Sequence, residues 1–174
     1  HFGLPFRSGG GLNASQTVDA QAGYESLMTM SATFLSGTNY VLHSAGWLEG
    51  GLVASYEKFV MDNEILGQLQ AEFTPIEVTE ESLAYGSHLE AGHGGHFLGT
   101  MHTLENFRTA FYRPFLSSSD NFDRWTRNGS KTTDVRASEI AHKMLDEYEQ
   151  PALDSAVKEE LDEFVAKRSK ELTA

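Results

Sequence analysis

Apolar positions recur along this chain in more than one period, and the changes of period mark its elements. From Val18 through Ala22, Leu27, Met30, Phe34 and Leu35 the spacing is helical, with Asn13 or Ser15 available as a cap and Gly37 as a stop. Ahead of it, FGLPFRSGGG is a short apolar stretch broken by Pro5 that runs into Arg7, Ser8 and three glycines, which predicts a strand end followed by a pliable loop. After it, NYVLH is too short and too rich in β-forming residues to be a helix, so a second strand is expected there. A second helical stripe then takes in Leu52, Val53, Tyr56, Phe59, Val60, Ile65, Leu66 and Leu69 and ends near Phe73. Strand, helix, strand, helix in this order predicts a right-handed parallel crossover. Both glycine-bearing loops then follow a strand directly, on the carboxyl-terminal side where α/β folds place their sites.

Beyond residue 74 the chain reads as helical with interruptions. Thr79, Glu80 and Glu81 open a helix that ends near Gly92, and HGGHFLGTMHT forms a loop of glycine and histidine. Helix resumes from about Leu104, with breaks at Pro114 and at Asn128 and Gly129. Two final helices, near 133–149 and 154–172, flank Gln150 and Pro151 and carry dense alternating charge. The expected organisation is a main body over 1–130 and a helical extension of the same domain over 131–174.

Composition narrows the function classes. A chain of 174 residues, 40% hydrophobic and 22% charged, can bury a real core. Its net charge of -12 argues against nucleic acid and anionic lipid as partners. With no cysteine, neither a disulfide framework nor a thiolate metal site is available, which fits the cytoplasm. No apolar run reaches the roughly 20 residues of a membrane helix. The opening His1, Phe2, Gly3 and Leu4 reads as the interior of an element, and hence as a carboxyl-terminal piece of something longer.

VLHSAGWLEGG, residues 41–51, concentrates the candidate chemistry. His43 at a strand's mouth can donate, accept or shuttle a proton, although a histidine there can equally be a packed residue bonded to a carbonyl. Trp47 and Glu49 share its loop, and Tyr24 and Tyr56 fall in the amino-terminal halves of the two flanking helices. Rings and a carboxylate converging on one opening suit a cation that has no proton to donate, such as a quaternary ammonium. Either tyrosine can equally be core. Asp19, Gln21, Glu25 and Glu57 lie early in the helices, where the dipole alone favours acids. Gly9, Gly10 and Gly11 leave backbone bare for close approach or for a turn. His93, His96 and His102 are the one metal-like spacing, with Glu90 and Glu105 as supporting carboxylates, but no His-Glu-x-x-His pattern occurs and no phosphate-loop spacing is present.

Taken in order, GLPFRSGGGL, DAQAGYESLMT, LHSAGWLEGGLVASYEKFVMDNEILG, GGHFLGTMHTLENFR and YEQPALD resemble the carboxyl-terminal third of the trimethylamine methyltransferase family. The resemblance implies an α/β fold, the last strands and helices of a TIM-type (β/α)8 barrel with a helical extension, mostly helical within these residues. Open sheet edges of such a piece imply pairing or a homo-oligomer. The resemblance also implies transfer of a methyl group from a methylated amine to cobalt in a corrinoid (cobalamin) carried by a separate partner protein, with no tightly bound metal. Nothing in the chain marks a pyrrolysine, which favours the branch acting on quaternary amines such as glycine betaine. In that setting His43 and Glu49 are the expected catalytic residues, Trp47, Tyr24, Tyr56 and Arg7 the substrate contacts, and Gly9, Gly10, Gly11, Gly50 and Gly51 the room for the corrin ring. Two departures from the family stand out: LNAS at 12–15, and the histidine-rich SHLEAGHGGH. The second keeps open a metal-dependent hydrolase built on His43, His93, His96 and His102. A non-catalytic binding module for quaternary amines is the third reading.

Overall fold

A computed structural model describes residues 3–173; His1, Phe2 and Ala174, and with them the start of the expected opening strand, lie outside the described residues. Strand β1 (Arg7–Gly9) pairs in parallel with β2 (Tyr40–Leu42), in the register Arg7 to Tyr40, Ser8 to Val41 and Gly9 to Leu42. Helix α1 (Ala20–Leu35) connects them, as the alternating pattern predicts. Its cap is neither Asn13 nor Ser15 but Asp19, whose carboxylate accepts from the Ala22 amide at 3.1 Å. Asn13 and Ser15 are buried instead and serve as tertiary partners. Beyond β2 a two-residue antiparallel ladder joins β3 (Trp47–Leu48) to β4 (Val53–Ala54) around a 3-10 turn, Glu49–Gly51. Helix α2 (Tyr56–Glu72) therefore starts later than its apolar stripe suggests, with Ser55 accepting from the Lys58 amide at 3.2 Å as its cap.

The apolar stripes identify the helices but not the faces they bury. In α1 the buried line is Ala22, Ser26, Met30 and Thr33, while Leu27 and Leu35 are exposed. In α2 the buried residues include Lys58, Asp62 and Glu64, while Tyr56 and Phe59 are exposed, as is Leu52 ahead of the helix. Both helices thus turn a partly polar face inward, and the polar groups bond to one another.

The expected helix over 79–92 is two pieces, α3 (Glu80–Leu83) and α4 (Tyr85–Ala91), broken at Ala84, where φ is 48°. Thr79 and Ser82 close a reciprocal capping box at its start. Short helices α5 (Met101–Asn106) and α6 (Phe122–Arg127) follow, then α7 (Thr133–Asp146) and α8 (Ser155–Thr173). The chain divides into one unit ending at His142 and a second from Lys143, later than the expected boundary at 130. The reason is that Ala137 and Ala141 of α7 belong to the core of the first unit, with Ala22, Leu48, Val60, Met61 and Leu116. The second unit contains α8, whose side chains are exposed and whose Arg168 pairs with Glu171 at 2.8 Å. Among the described residues, no helix is long and apolar enough to cross a membrane.

Candidate functional site at the carboxyl ends of the parallel strands

Gly10 follows β1 directly and His43 follows β2, so the two segments leave the same end of the parallel pair. They are joined there: the Gly11 amide donates to the His43 carbonyl at 2.7 Å, and Leu12 bridges Trp47. A β-carbon on Gly11 would stand 2.5 Å from the Ser44 carbonyl oxygen, so only glycine allows this approach. At Gly10 a β-carbon would overlap the Met30 sulfur. The bare backbone at Gly10 and Gly11 is therefore filled by the chain's own Met30, Val41 and Ser44. Gly9 and Gly50 remain open, an added β-carbon meeting only the Leu42 carbonyl oxygen at 3.9 Å at the first and nothing within 4 Å at the second, and at Gly51 it would meet Leu12 at 2.9 Å.

The His43 and Trp47 rings pack edge to face, with centroids 5.4 Å apart and planes at 85°. Both are half-buried. His43 has φ 58° and Glu49 has φ 52°, in the left-handed region that costs a side-chain-bearing residue about 1–3 kcal/mol. Two strained residues within one seven-residue loop require the surroundings to hold it in place. Those surroundings are specific: the Glu49 amide donates to the Ser15 carbonyl at 2.9 Å and the Gly50 amide to the Asn13 carbonyl at 2.7 Å.

The other expected contacts are less gathered. Tyr24 is 59% exposed and Tyr56 65% exposed, and among the described residues the ring packed on Trp47 is that of His43. Glu49 is exposed, as is Arg7 on β1. Leu12, Leu52 and Val53 are exposed as well, and together with Gly50 they give the loop an apolar rim.

Beneath the loop lies a buried polar network with no counterpart in the expected site. Lys58 and Asp62 of α2 form an i,i+4 ion pair, fully buried at 0% and 1% exposure. Asp62 Oδ2 accepts from the Gly46 amide at 2.8 Å. The Ser26 hydroxyl lies 2.7 Å from Asp62 Oδ1 and 3.0 Å from Asn13 Oδ1, and accepts from Lys58 Nζ at 2.9 Å. Asn13 in turn donates to the Ala22 carbonyl at 2.6 Å. Burial pulls the Lys58 ammonium below the usual lysine range, against the hydrogen bond and charge of Asp62, which raise it. Glu25 holds the adjoining turn. Its carboxylate accepts from Gln21 at 2.8 Å and from the Ala14 and Ser15 amides at 2.8 and 3.2 Å, and these bonds lower its pKa, the Gln21 bond most. The signal in the sequence is a lysine and an aspartate spaced i,i+4 in a helix that also buries Val60, Met61 and Leu69. Glu64, also buried on α2, accepts instead from the Phe115 and Leu116 amides at 3.0 and 3.2 Å.

The histidine loop does not assemble a metal centre. Among the described residues, no three histidine, aspartate or glutamate side chains are close enough to share an ion, so His93, His96 and His102 are not brought together. His93 and His96 are exposed, and the ring pair in this region joins His88 to Phe97, centroids 5.1 Å apart. Among the described residues the hydrolase reading therefore has no assembled ligand set.

A chain with helix-connected parallel strands and a glycine-bounded His-Trp loop at their carboxyl ends matches the sequence model of the trimethylamine methyltransferase (MTTB) family over residues 1–173. It belongs to that family. It is 44% identical over 171 residues, 98% of the chain, to a glycine betaine methyltransferase of Desulfitobacterium hafniense strain Y51. It is 31% identical, over 97% of the chain, to a trimethylamine methyltransferase of Methanosarcina barkeri strain Fusaro. A trimethylamine methyltransferase of Desulfitobacterium hafniense strain DCB-2 is 32% identical over 85% of the chain. These alignments cover 36%, 34% and 29% of the three relatives, so the chain spans about a third of their length.

Proposed function

We propose that this chain is part of a corrinoid-dependent methyltransferase that takes a methyl group from a quaternary amine, with glycine betaine the first candidate. The observation that carries the reading is the 44% identity to a glycine betaine methyltransferase, against 31% and 32% to the two trimethylamine methyltransferases. The local chemistry supports it. A quaternary nitrogen keeps its charge at every pH and has no proton to donate, so ring faces and a nearby carboxylate are its natural contacts. One cation–π contact contributes about 0.5–2 kcal/mol. Trp47 supplies the indole, Glu49 balances the charge, and His43 or Arg7 hydrogen-bonds the substrate carboxylate. Tyr24 and Tyr56 complete the ring wall from α1 and α2.

The bond that breaks is carbon to nitrogen, and its electron pair stays on nitrogen. The nitrogen of the departing amine is left uncharged, so no general acid is needed, and the work of the protein is to orient the methyl group and exclude water. A corrinoid on its carrier protein supplies the cobalt that accepts the methyl group. The apolar rim of Leu12, Leu52 and Val53 beside Gly50 and Gly51 suits a broad, largely apolar macrocycle. A parallel β–α–β unit such as β1–α1–β2 is of the kind that a (β/α)8 barrel repeats, and in that fold its exposed Leu27, Met28 and Leu35 are surfaces that neighbouring units or a second copy would cover. A cytoplasmic enzyme fits this reading.

The test is methyl transfer by the full-length protein to added reduced cobalamin, followed by absorbance, with a panel of quaternary and tertiary amines. Glycine betaine or another quaternary amine is expected to react, and His43→Ala and Trp47→Leu are each expected to slow transfer about tenfold or more. Wild-type rates in both variants overturn the site. Binding without transfer for every quaternary amine overturns the enzyme and leaves a binding module.

A further inference from the structure

We propose that Asp62 is a positioning residue for the His43–Trp47 pair, acting through the Gly46 amide, and that Lys58 and Ser26 fix the carboxylate that does so. This rests on the methyltransferase reading for its effect on rate, but not for its effect on geometry. Gly46 lies between the two rings in sequence, has φ 88°, and is buried against Phe59, which an added β-carbon would touch at 3.4 Å. Its amide donates to Asp62 at 2.8 Å and its carbonyl accepts from the Ser55 amide, the cap of α2, at 3.0 Å. The backbone between His43 and Trp47 is therefore bound on both sides to one helix, through its cap and its second turn. The carboxylate itself has little freedom, because Lys58, Ser26 and Gly46 all donate to it inside the protein.

A strained His43 would relax if that anchor were lost, since an unpartnered buried amide and a left-handed histidine both favour rearrangement. The rings would then separate while the helices remained. Lys58 is too far inside to touch substrate, being fully buried, so its contribution passes through Asp62.

Removing one member of a buried ion pair can prevent folding, so the test uses paired changes. Lys58→Met with Asp62→Leu removes the pair and the acceptor for Gly46. Lys58→Met with Asp62→Asn removes the pair but keeps an acceptor. Near-ultraviolet circular dichroism is compared in each background with that of the same protein carrying Trp47→Phe, so that the difference reports Trp47, and kcat and KM for methyl transfer are measured on the same full-length proteins. The leucine variant is expected to lose the Trp47 signal and about tenfold or more of kcat/KM. The asparagine variant is expected to keep both. Native Trp47 signal and unchanged rate in the leucine variant overturn the proposal, as does equal loss in both variants. If the parent transfers no methyl group, the functional reading fails, and the Trp47 signal still decides for or against Asp62.

Discussion

The loops at 43–51 and 92–100 are both rich in glycine and both carry histidine, yet they are held in opposite ways. The first bonds to residues distant in sequence: Gly11, Asn13 and Ser15 after β1, and Asp62 on α2. The second bonds to its neighbours: Gly92 to His88, Gly95 to Gly92, and Thr100 to Phe97. Strained backbone follows the same division, since His43 and Glu49 have positive φ in the first loop, whereas in the second this is confined to glycines 92 and 94. Residue types alone therefore do not make a site. A reactive side chain needs a buried scaffold that fixes it, and only the first loop has one.

Glycine substitution breaks the comparison most sharply. Gly11→Ala drives a methyl group to 2.5 Å from the Ser44 carbonyl oxygen and is expected to cost about 1–3 kcal/mol. Gly99→Ala, where an added β-carbon meets nothing within 4 Å, is expected to change stability by less than about 0.5 kcal/mol. Urea denaturation of both variants measures the difference.

Acid sharpens it. Glu25 holds the turn under the first loop as a carboxylate whose pKa is lowered by the hydrogen bond it accepts from the Gln21 side-chain amide and by those from the Ser15 and Ala14 backbone amides. A lowered folded pKa means that the unfolded chain takes up the proton first. The contribution of Glu25 is therefore fully present above the ordinary carboxylate range and is lost as pH falls through the folded value. Thermal melts from neutral pH downward are expected to show a shallower acid decline for Glu25→Gln than for the parent. An unchanged decline removes Glu25 from the support of the loop.

The smallest effect is expected in the second loop. His93→Ala and His96→Ala should leave methyl transfer and stability within about 0.5 kcal/mol of the parent, with no metal bound by either protein. Stoichiometric zinc or iron in the purified parent, lost in these variants, would restore a metal role for the loop.

Much of the scaffold is legible in the sequence because period 3.6 and period 2 patterns are local. The α1 connection between two short strands, the two final helices, expected at 133–149 and 154–172 and found at Thr133–Asp146 and Ser155–Thr173, and the loop at 43–51 all follow from it. The caps are less legible, since Asn13, Ser15 and Asp19 are all competent and tertiary bonding decides which one caps. The buried faces are less legible still. Leu27 and Leu52 look like core and are exposed, while Lys58 and Asp62 look like surface and are buried, because each charge has a partner that exists only after α1 and α2 pack.

Sequence by itself determined the family, the helix-connected pair of strands and the loop that carries histidine, tryptophan and glutamate, since residue order and local spacing carry all three. Tertiary structure decided that His43 packs on Trp47, that Gly10 and Gly11 admit the chain's own atoms, and that the three later histidines stay apart. Those outcomes depend on distances between residues far apart along the chain. Such distances are set by hydrogen bonds and packing that close only when the segments meet.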